Sequence, residues 1–295
     1  MKTFLQFFFW GSLVIASACK KSDSGGEITQ GNQKKYAFKL SVNNPSDVHS
    51  DLRNTSLIPN ISLLYVRIYN TVTGKLILST DQTRLRGSDF GVIENLLSKG
   101  KYTAVLIGSQ LPLQLHTSNN TNWSNAGFST GAASSINDIF YKKIEFSISD
   151  RAVEQSVKLD RIIAGLNIVI EDAIPSNISK IEVFISGDKT TYQFSDDSRS
   201  GLVNRSLDFP VALIKHGSTN KTLTGITFGI NSPTSVILKA YNNSNTVLFE
   251  TSIADVTFQT NKTTKLSGKL FSNNTSFKVT LNTVWDTPLP VIQIN

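Results

Sequence analysis

The sequence predicts an all-β protein built as two tandem β-sandwiches. Three observations carry that prediction. Short runs of two-residue alternation recur along the chain, and turns rich in Asn, Ser, Thr and Gly separate them. Charged residues fill only 17% of the positions, so Asn, Ser and Thr supply much of the polarity, a mix that suits pleated surface better than solvent-facing helix. A chain of 295 residues exceeds the usual size of a single core, so two cores are expected, and a hydrophobic fraction of 39% is enough to fill them.

The first segment reads as an export signal, residues 1–18. Met1-Lys2 gives a positive start, and residues 4–18 are almost wholly apolar, with Phe7, Phe8, Phe9 and Trp10 in a row. At about 1.5 Å per residue this run falls short of a hydrocarbon core of about 30 Å, so a cleaved signal fits better than a membrane span. It ends in Ile15-Ala16-Ser17-Ala18-Cys19, which resembles the lipobox of bacterial lipoproteins. Cys19 is then the expected lipidation site, and it is the only cysteine in the chain. Stable anchoring takes more than one acyl chain, which such cysteines carry. Residues 19–35 read as a lipidated, flexible tether, because Lys20-Lys21-Ser22-Asp23-Ser24-Gly25-Gly26 has nothing to bury.

A first sandwich is expected over 36–159. Phe38-Lys39-Leu40-Ser41-Val42 alternates strictly, and residues 63–69 form a second strand. Thr73-Gly74 marks a hairpin turn that returns through 76–80. Lys99-Gly100 precedes a strand over 102–107, and residues 144–148 and 153–159 alternate again. Residues 89–97 are the best helix candidate, with Ile93, Leu96 and Leu97 at helical offsets. Residues 111–135, rich in Asn, Ser and Thr, read as a long loop.

A second sandwich is expected over 160–295. Residues 162–170 form an apolar run suited to a strand buried on both faces. Strands follow at 181–185, 191–194, 225–230, 235–241, 247–253, 264–270 and 277–281, with Ser186-Gly187, Asn242-Asn243 and Asn273-Asn274 as turns. The halves show no sequence repeat. Asp160 and Arg161 sit at the expected join, where a charged pair could set the geometry between the domains. Ordinary solvated charges are the plainer reading. Trp285 reads as a core plug.

Several segments together resemble the fimbrillin and fimbrial-anchor lipoproteins of the Bacteroidetes, the FimB-like subunits. They are Val66-Arg67-Ile68-Tyr69 with Gly74 and Leu76; Leu97-Ser98-Lys99-Gly100-Lys101-Tyr102-Thr103; Ile139-Phe140-Tyr141-Lys142-Lys143; Val157-Lys158-Leu159-Asp160-Arg161-Ile162-Ile163-Ala164; and residues 261–271 with Trp285 beyond. The resemblance implies two transthyretin-like sandwich domains and a role in fimbria assembly or anchoring. Its order and spacing, after a lipobox, carry more weight than any single piece.

Chemical motifs are scarce. Ser98-Lys99-Gly100-Lys101 and Ser218-Thr219-Asn220-Lys221 match the spacing of a Ser–Lys nucleophile pair, but both fall in turn-like segments where the spacing does not place Lys beside Ser. No nucleotide-binding, zincin or nucleophile-elbow pattern is present. Asp196-Asp197-Ser198-Arg199-Ser200-Gly201 lacks calcium-loop spacing. The net charge of +7 is spread thinly, the longest basic clusters being pairs, so nucleic acid is not an expected partner. No cofactor or catalytic activity is expected.

The leading expectation is a lipid-anchored fimbrial subunit at the outer-membrane surface, anchor or accessory pilin, that joins other subunits by β-strand addition. Lys35 and Arg53 flank the first strand and are candidate processing sites for a trypsin-like protease. The tail Leu289-Pro290-Val291-Ile292-Gln293-Ile294-Asn295 reads as the closing strand of the second domain or as a donor strand. The alternative is a glycan-binding or nutrient-capture surface lipoprotein, with Trp123 and Phe128 as exposed aromatic platforms.

Overall fold

The computed structural model describes residues 34–43, 61–84, 89–117, 123–131, 136–228, 233–272 and 276–282. The first half gives β1 (Lys35–Asn43), β2 (Leu63–Asn70), β3 (Leu76–Thr83), β4 (Val92–Ser98) and β5 (Gly100–Ser109). The short β6 (Gln114–His116) and β7 (Gly127–Ser129) follow, then β8 (Ile139–Ile148), β9 (Val153–Lys158) and β10 (Asp160–Arg161). The second half gives β11 (Ala164–Ile170), β12 (Lys180–Gln193) and β13 (Arg199–Pro210), a helical turn α1 (Val211–Ile214), and β14 (Lys221–Thr227). It continues with β15 (Thr234–Tyr241), β16 (Val247–Val256), β17 (Thr263–Lys269) and β18 (Ser276–Asn282). The all-β class and the sandwich architecture are as the sequence predicts.

The strand order repeats. The small sheets run β4-β1-β9 and β14-β11-β17, the latter extended by β18. The large sheets contain β8-β5-β2-β3 and β16-β15-β12, with β13 on the far edge of β12. In each copy the first strand lies between one antiparallel and one parallel neighbour. Two sandwiches that share a seven-strand topology thus emerge from halves with no visible sequence repeat. The shared property is two-residue alternation, which many different side chains satisfy.

Each sandwich has its own core. Phe38, Leu40, Leu64, Val66, Ile68 and Leu106 fill the first, and Ile168, Ile181, Val183, Leu238 and Leu266 fill the second. A third apolar cluster lies between them, because β2 and β5 are apolar on both faces. Leu64, Val66 and Ile68 face the first core, while Tyr65 and Tyr69 face outward onto Phe128, Tyr192, Phe194 and Phe228. On β5, Ala104 and Leu106 face in, whereas Val105 and Ile107 face out.

Three local expectations change. Residues 89–97 do not form a helix; they end in β4. Ile93 and Leu97 are four apart, a spacing that shares one face in a helix and in a strand, so the periodicity could not separate the two. Pairing with β1 decides it. Ser186-Gly187 is not a turn but a bulge inside β12, with the register slipping between Ile185 and Asp188 and Gly187 at φ 68°. Residues 191–193 therefore continue β12 rather than forming a separate strand, and Phe194 lies in the turn that follows. The segment 111–135 contains β6, a 3-10 turn at Trp123–Asn125, and β7, which pairs with Thr191, Tyr192 and Gln193 of β12.

Polar ties reinforce the second sandwich. Asp188 and Arg205 are fully buried and ion-paired at the bulge. Asp188 also accepts hydrogen bonds from Thr227 Oγ1 (2.7 Å) and the Phe228 amide (3.1 Å), so this carboxylate links the two sheets. Asp188→Ala should cost about 3–5 kcal/mol by leaving the guanidinium buried without its counter-charge. Paired replacement by Asp188→Leu and Arg205→Met should restore most of that, read from urea unfolding of the single and double variants.

Candidate functional site

The site is β1 and the slot it occupies. Tyr36, Phe38, Leu40 and Val42 point inward and are 9%, 1%, 0% and 2% exposed. Phe38 stacks on Phe146 of β8 at 4.5 Å between ring centroids, and Tyr102 stacks on the same ring at 5.5 Å. Both edges of β1 are paired. Lys35 to Ser41 lie opposite Ser98 to Val92 on β4, and Phe38 to Asn43 run parallel to Val153 to Lys158 on β9. The Val42 amide adds a bond to Gly91 O at 2.8 Å. β1 is thus the middle strand of its sheet, and β2, the next strand in the chain, belongs to the opposite sheet.

The outer face of this sheet is a shallow groove of about 650 Å³. Ala37 gives it a low floor, and Leu96, Ala152 and Val153 line its sides. Lys39 and Glu94 pair across it at 3.3 Å.

The start of β1 is pinned by three side chains. The Tyr36 hydroxyl donates to Asp150 Oδ1 at 3.1 Å, and Lys99 pairs with the same oxygen. The ammonium of Lys99, then the Tyr36 hydroxyl, hold the Asp150 carboxyl below the usual carboxylate range. Burial, then the bond to Asp150, raises the Tyr36 phenol. The bond to Asp150 raises Lys99. Nothing in the sequence spacing marked Asp150 as a partner, since it stands 114 residues from Tyr36.

The sequence-predicted residues fall as follows. Lys35 is the first residue of β1 and lies opposite Ser98. Cys19, Arg53, Trp285 and the tail 289–295 lie outside the described residues. Asp160 and Arg161 are both in β10 and take different partners. Asp160 bonds Lys142 Nζ at 2.7 Å near the surface. Arg161 is buried and grips Asp138 through Nε (2.7 Å) and Nη2 (2.8 Å). Phe128 is 0% exposed and Trp123 is half-buried, so the pair does not form an exposed platform. Both pack in the third cluster because β7 docks on β12. Ser98 and Lys101 lie on opposite sides of the β4–β5 turn, in extended backbone. Among the described residues, no group of three or more His, Cys, Asp or Glu is placed to hold a metal ion.

The family model for fimbrillin-A associated anchor proteins Mfa1 and Mfa2 matches residues 74–289, most of the chain. The chain belongs to this family. Solved structures agree on the fold. A candidate adhesin of Bacteroides ovatus superposes with a TM-score of 0.58 at 10% identity, covering 88% of this chain and 97% of that one. A candidate cell adhesion protein of Bacteroides eggerthii gives 0.55 at 13% identity, covering 88% and 98%. The fimbrial anchor protein Mfa2 of Porphyromonas gingivalis gives 0.52 at 12% identity, covering 84% and 97%. No curated protein matches the chain. Fimbrial anchor proteins are therefore its relatives, and the resemblance drawn from its sequence segments holds.

Two outcomes follow for this member of the family. Phe38→Ala should cost about 3–5 kcal/mol, because it leaves a cavity against Phe146. Chemical unfolding followed by near-ultraviolet circular dichroism reads that loss. Asp150 has a depressed pKa, so its contribution is present above the ordinary carboxyl value of about 3.9 and fades as pH falls through the folded value. Protection of the Tyr36 and Ala37 amides, as the ratio of intrinsic to observed hydrogen-exchange rate at each pH, should therefore fall on acidification towards pH 3. Asp150→Asn should flatten that dependence.

Proposed function

We propose that this chain is a lipid-anchored fimbrial subunit of the outer-membrane surface, anchor or accessory pilin, whose filament assembles by strand addition: uncut it keeps its β1 slot filled, and only a cut after Arg53 would let a neighbour's strand enter that slot. Its two domains run over 36–159 and 160–295. β10 pairs back onto the first sandwich and β7 reaches across to the second, which favours a stiff two-domain rod. Cys19 carries the acyl chains, and residues 19–35 hold the body off the membrane.

One observation carries the reading: β1 is a middle strand whose only onward connection is the segment 44–60, which contains Arg53. A cut after Arg53 leaves β1 held by non-covalent contacts alone. A strand from a neighbouring subunit with the same alternation can then replace it, burying apolar side chains at the four inward positions and bonding to β4 and β9. Without a replacement, the main-chain groups facing the slot lose their partners. A cut after Lys35 acts differently. It removes the tether but leaves residues 36–43 in the sheet, so it frees the subunit from the membrane without opening the slot. The uncut chain fills its own slot, which suits a subunit that ends a filament at the membrane.

Intact mass spectrometry of outer-membrane and sheared-filament fractions tests this. A membrane species starting at acylated Cys19, with β1 retained, is expected for the anchor role. An unlipidated filament species beginning at Asn54 would replace the anchor role with that of a polymerising pilin. In that case Arg53→Ala should abolish its incorporation. A mature protein with no acyl group on Cys19 would overturn the lipid anchor.

A further inference from the structure

Beside the β2–β3 turn, a cleft of about 110 Å³ opens where the two sandwiches meet. The ends of β2 and β5 form its floor with Tyr69, Thr71 and Thr103, and Trp123 stands as one wall. Lys143 and Glu145 of β8 face it, and Ser195 closes it from the second sandwich. The indole is held firmly. Trp123 N donates to Gly74 O at 3.3 Å, and its ring meets Tyr69 edge-on at 5.0 Å. Gly74, at φ 67°, lets the hairpin turn pass under it, and a side chain there would press on Trp123 Cβ at 3.4 Å.

The polar groups of the cleft are unevenly satisfied. Tyr69 is 1% exposed, and its hydroxyl finds no hydrogen-bond partner among the described residues. Burial pushes this phenol up to about 12, so it stays a donor. The enclosed hydroxyl backs the floor and is out of reach of a ligand in the cleft. Thr71 Oγ1 and Thr103 Oγ1 face each other at 3.0 Å and keep capacity for a further partner. Glu145 is exposed and has no ion-pair partner among the described residues.

Charge selects the ligand class. The Lys143 ammonium is already committed to Asp197 Oδ2 (2.9 Å) and Phe194 O (3.0 Å), and it stands 5.9 Å from the Trp123 ring centroid. A cationic ligand would meet that ammonium over the indole. An anionic ligand would meet the carboxylate of Glu145 with no spare cation to offset it. A neutral group rich in hydroxyls meets neither objection. The volume equals about three or four water molecules at about 30 Å³ each, enough to seat one edge of a ring.

We propose that this cleft binds a neutral sugar ring, with the apolar face of the ring on Trp123 and its hydroxyls on the Thr71–Thr103 pair and Glu145. An indole beside a few convergent polar groups is the usual composition of such a site. The proposal is independent of the assembly reading, since an adhesive cleft serves a base, stalk or tip subunit alike. It also differs from a platform of exposed Trp123 and Phe128, because Phe128 lies in the cluster beneath.

Saturation-transfer NMR on the purified full-length protein tests it, with methyl α-mannoside, methyl β-galactoside and N-acetylglucosamine as probes. Glycerol and N-acetylneuraminic acid serve as controls. At least one neutral sugar should give saturable transfer with a dissociation constant of about 1 mM, on the order expected for one ring. Glu145→Gln and Thr71→Trp should each weaken it tenfold or more. Both positions are exposed, so the fold and melting temperature should hold. The proposal is overturned by no saturable transfer from any neutral sugar, by equal transfer from glycerol, by preference for the acidic sugar, or by unchanged binding in both variants.

Discussion

The structure of the first sandwich depends on the pairing of one strand on both its edges. β1 is joined to β4 in antiparallel register and to β9 in parallel register, so its main-chain donors and acceptors are satisfied on either side. Its four inward side chains complete a core that β2, β5 and β8 close from the opposite sheet. Neither β4 nor β9 pairs with the other, so the small sheet exists only through the strand between them. A fold arranged this way places its largest non-local dependence on its first element. The proposed exchange of a strand between subunits would exploit that dependence.

The second sandwich repeats the order but holds its first strand differently. β11 also lies between an antiparallel and a parallel partner. The residues leading into it are enclosed, however. Ile162 and Ile163 are buried, and Arg199 Nη2 donates to Ile162 O at 2.8 Å. The Asn261 amide donates to Ile163 O at 2.8 Å, and the Gly165 amide to Lys262 O at 2.9 Å. β10 binds the same approach to β8. The two sandwiches share a topology, and only β1 has a long connection to the strand that follows it.

The junction joins apolar and polar contacts. Tyr141 of β8 packs against Tyr192 at 4.8 Å between centroids and donates its hydroxyl to Asp197 Oδ1 at 3.0 Å. Burial first, then the Asp197 carboxylate, pushes the Tyr141 phenol well above its ordinary value, which keeps it protonated as that donor. Lys143 reaches the same carboxylate from the next outward position. Arg161 and Asp138 fix the chain where it passes from one sandwich to the other. The charge at the join therefore works through Asp138, a partner 23 residues earlier in the chain, and not through the adjacent Asp160.

What the sequence determined by itself is local. Alternation placed most strands, and the apolar run over 162–170 already implied a strand buried on both faces. Family membership was legible in the order and spacing of several strand-and-turn segments taken together. The sequence could not say which strands are neighbours. Ile93 and Leu97 fit two periods until β1 lay beside them, and Gly187 looked like a turn until β13 and β15 held β12 in line across the bulge. Phe128 and Trp123 looked exposed because nothing nearby in the chain covers them; β12 and the β2–β3 turn do. Alternation is a property of one strand, whereas pairing, burial and clefts arise from the fit between residues about a hundred positions apart. Only the tertiary structure resolves that fit.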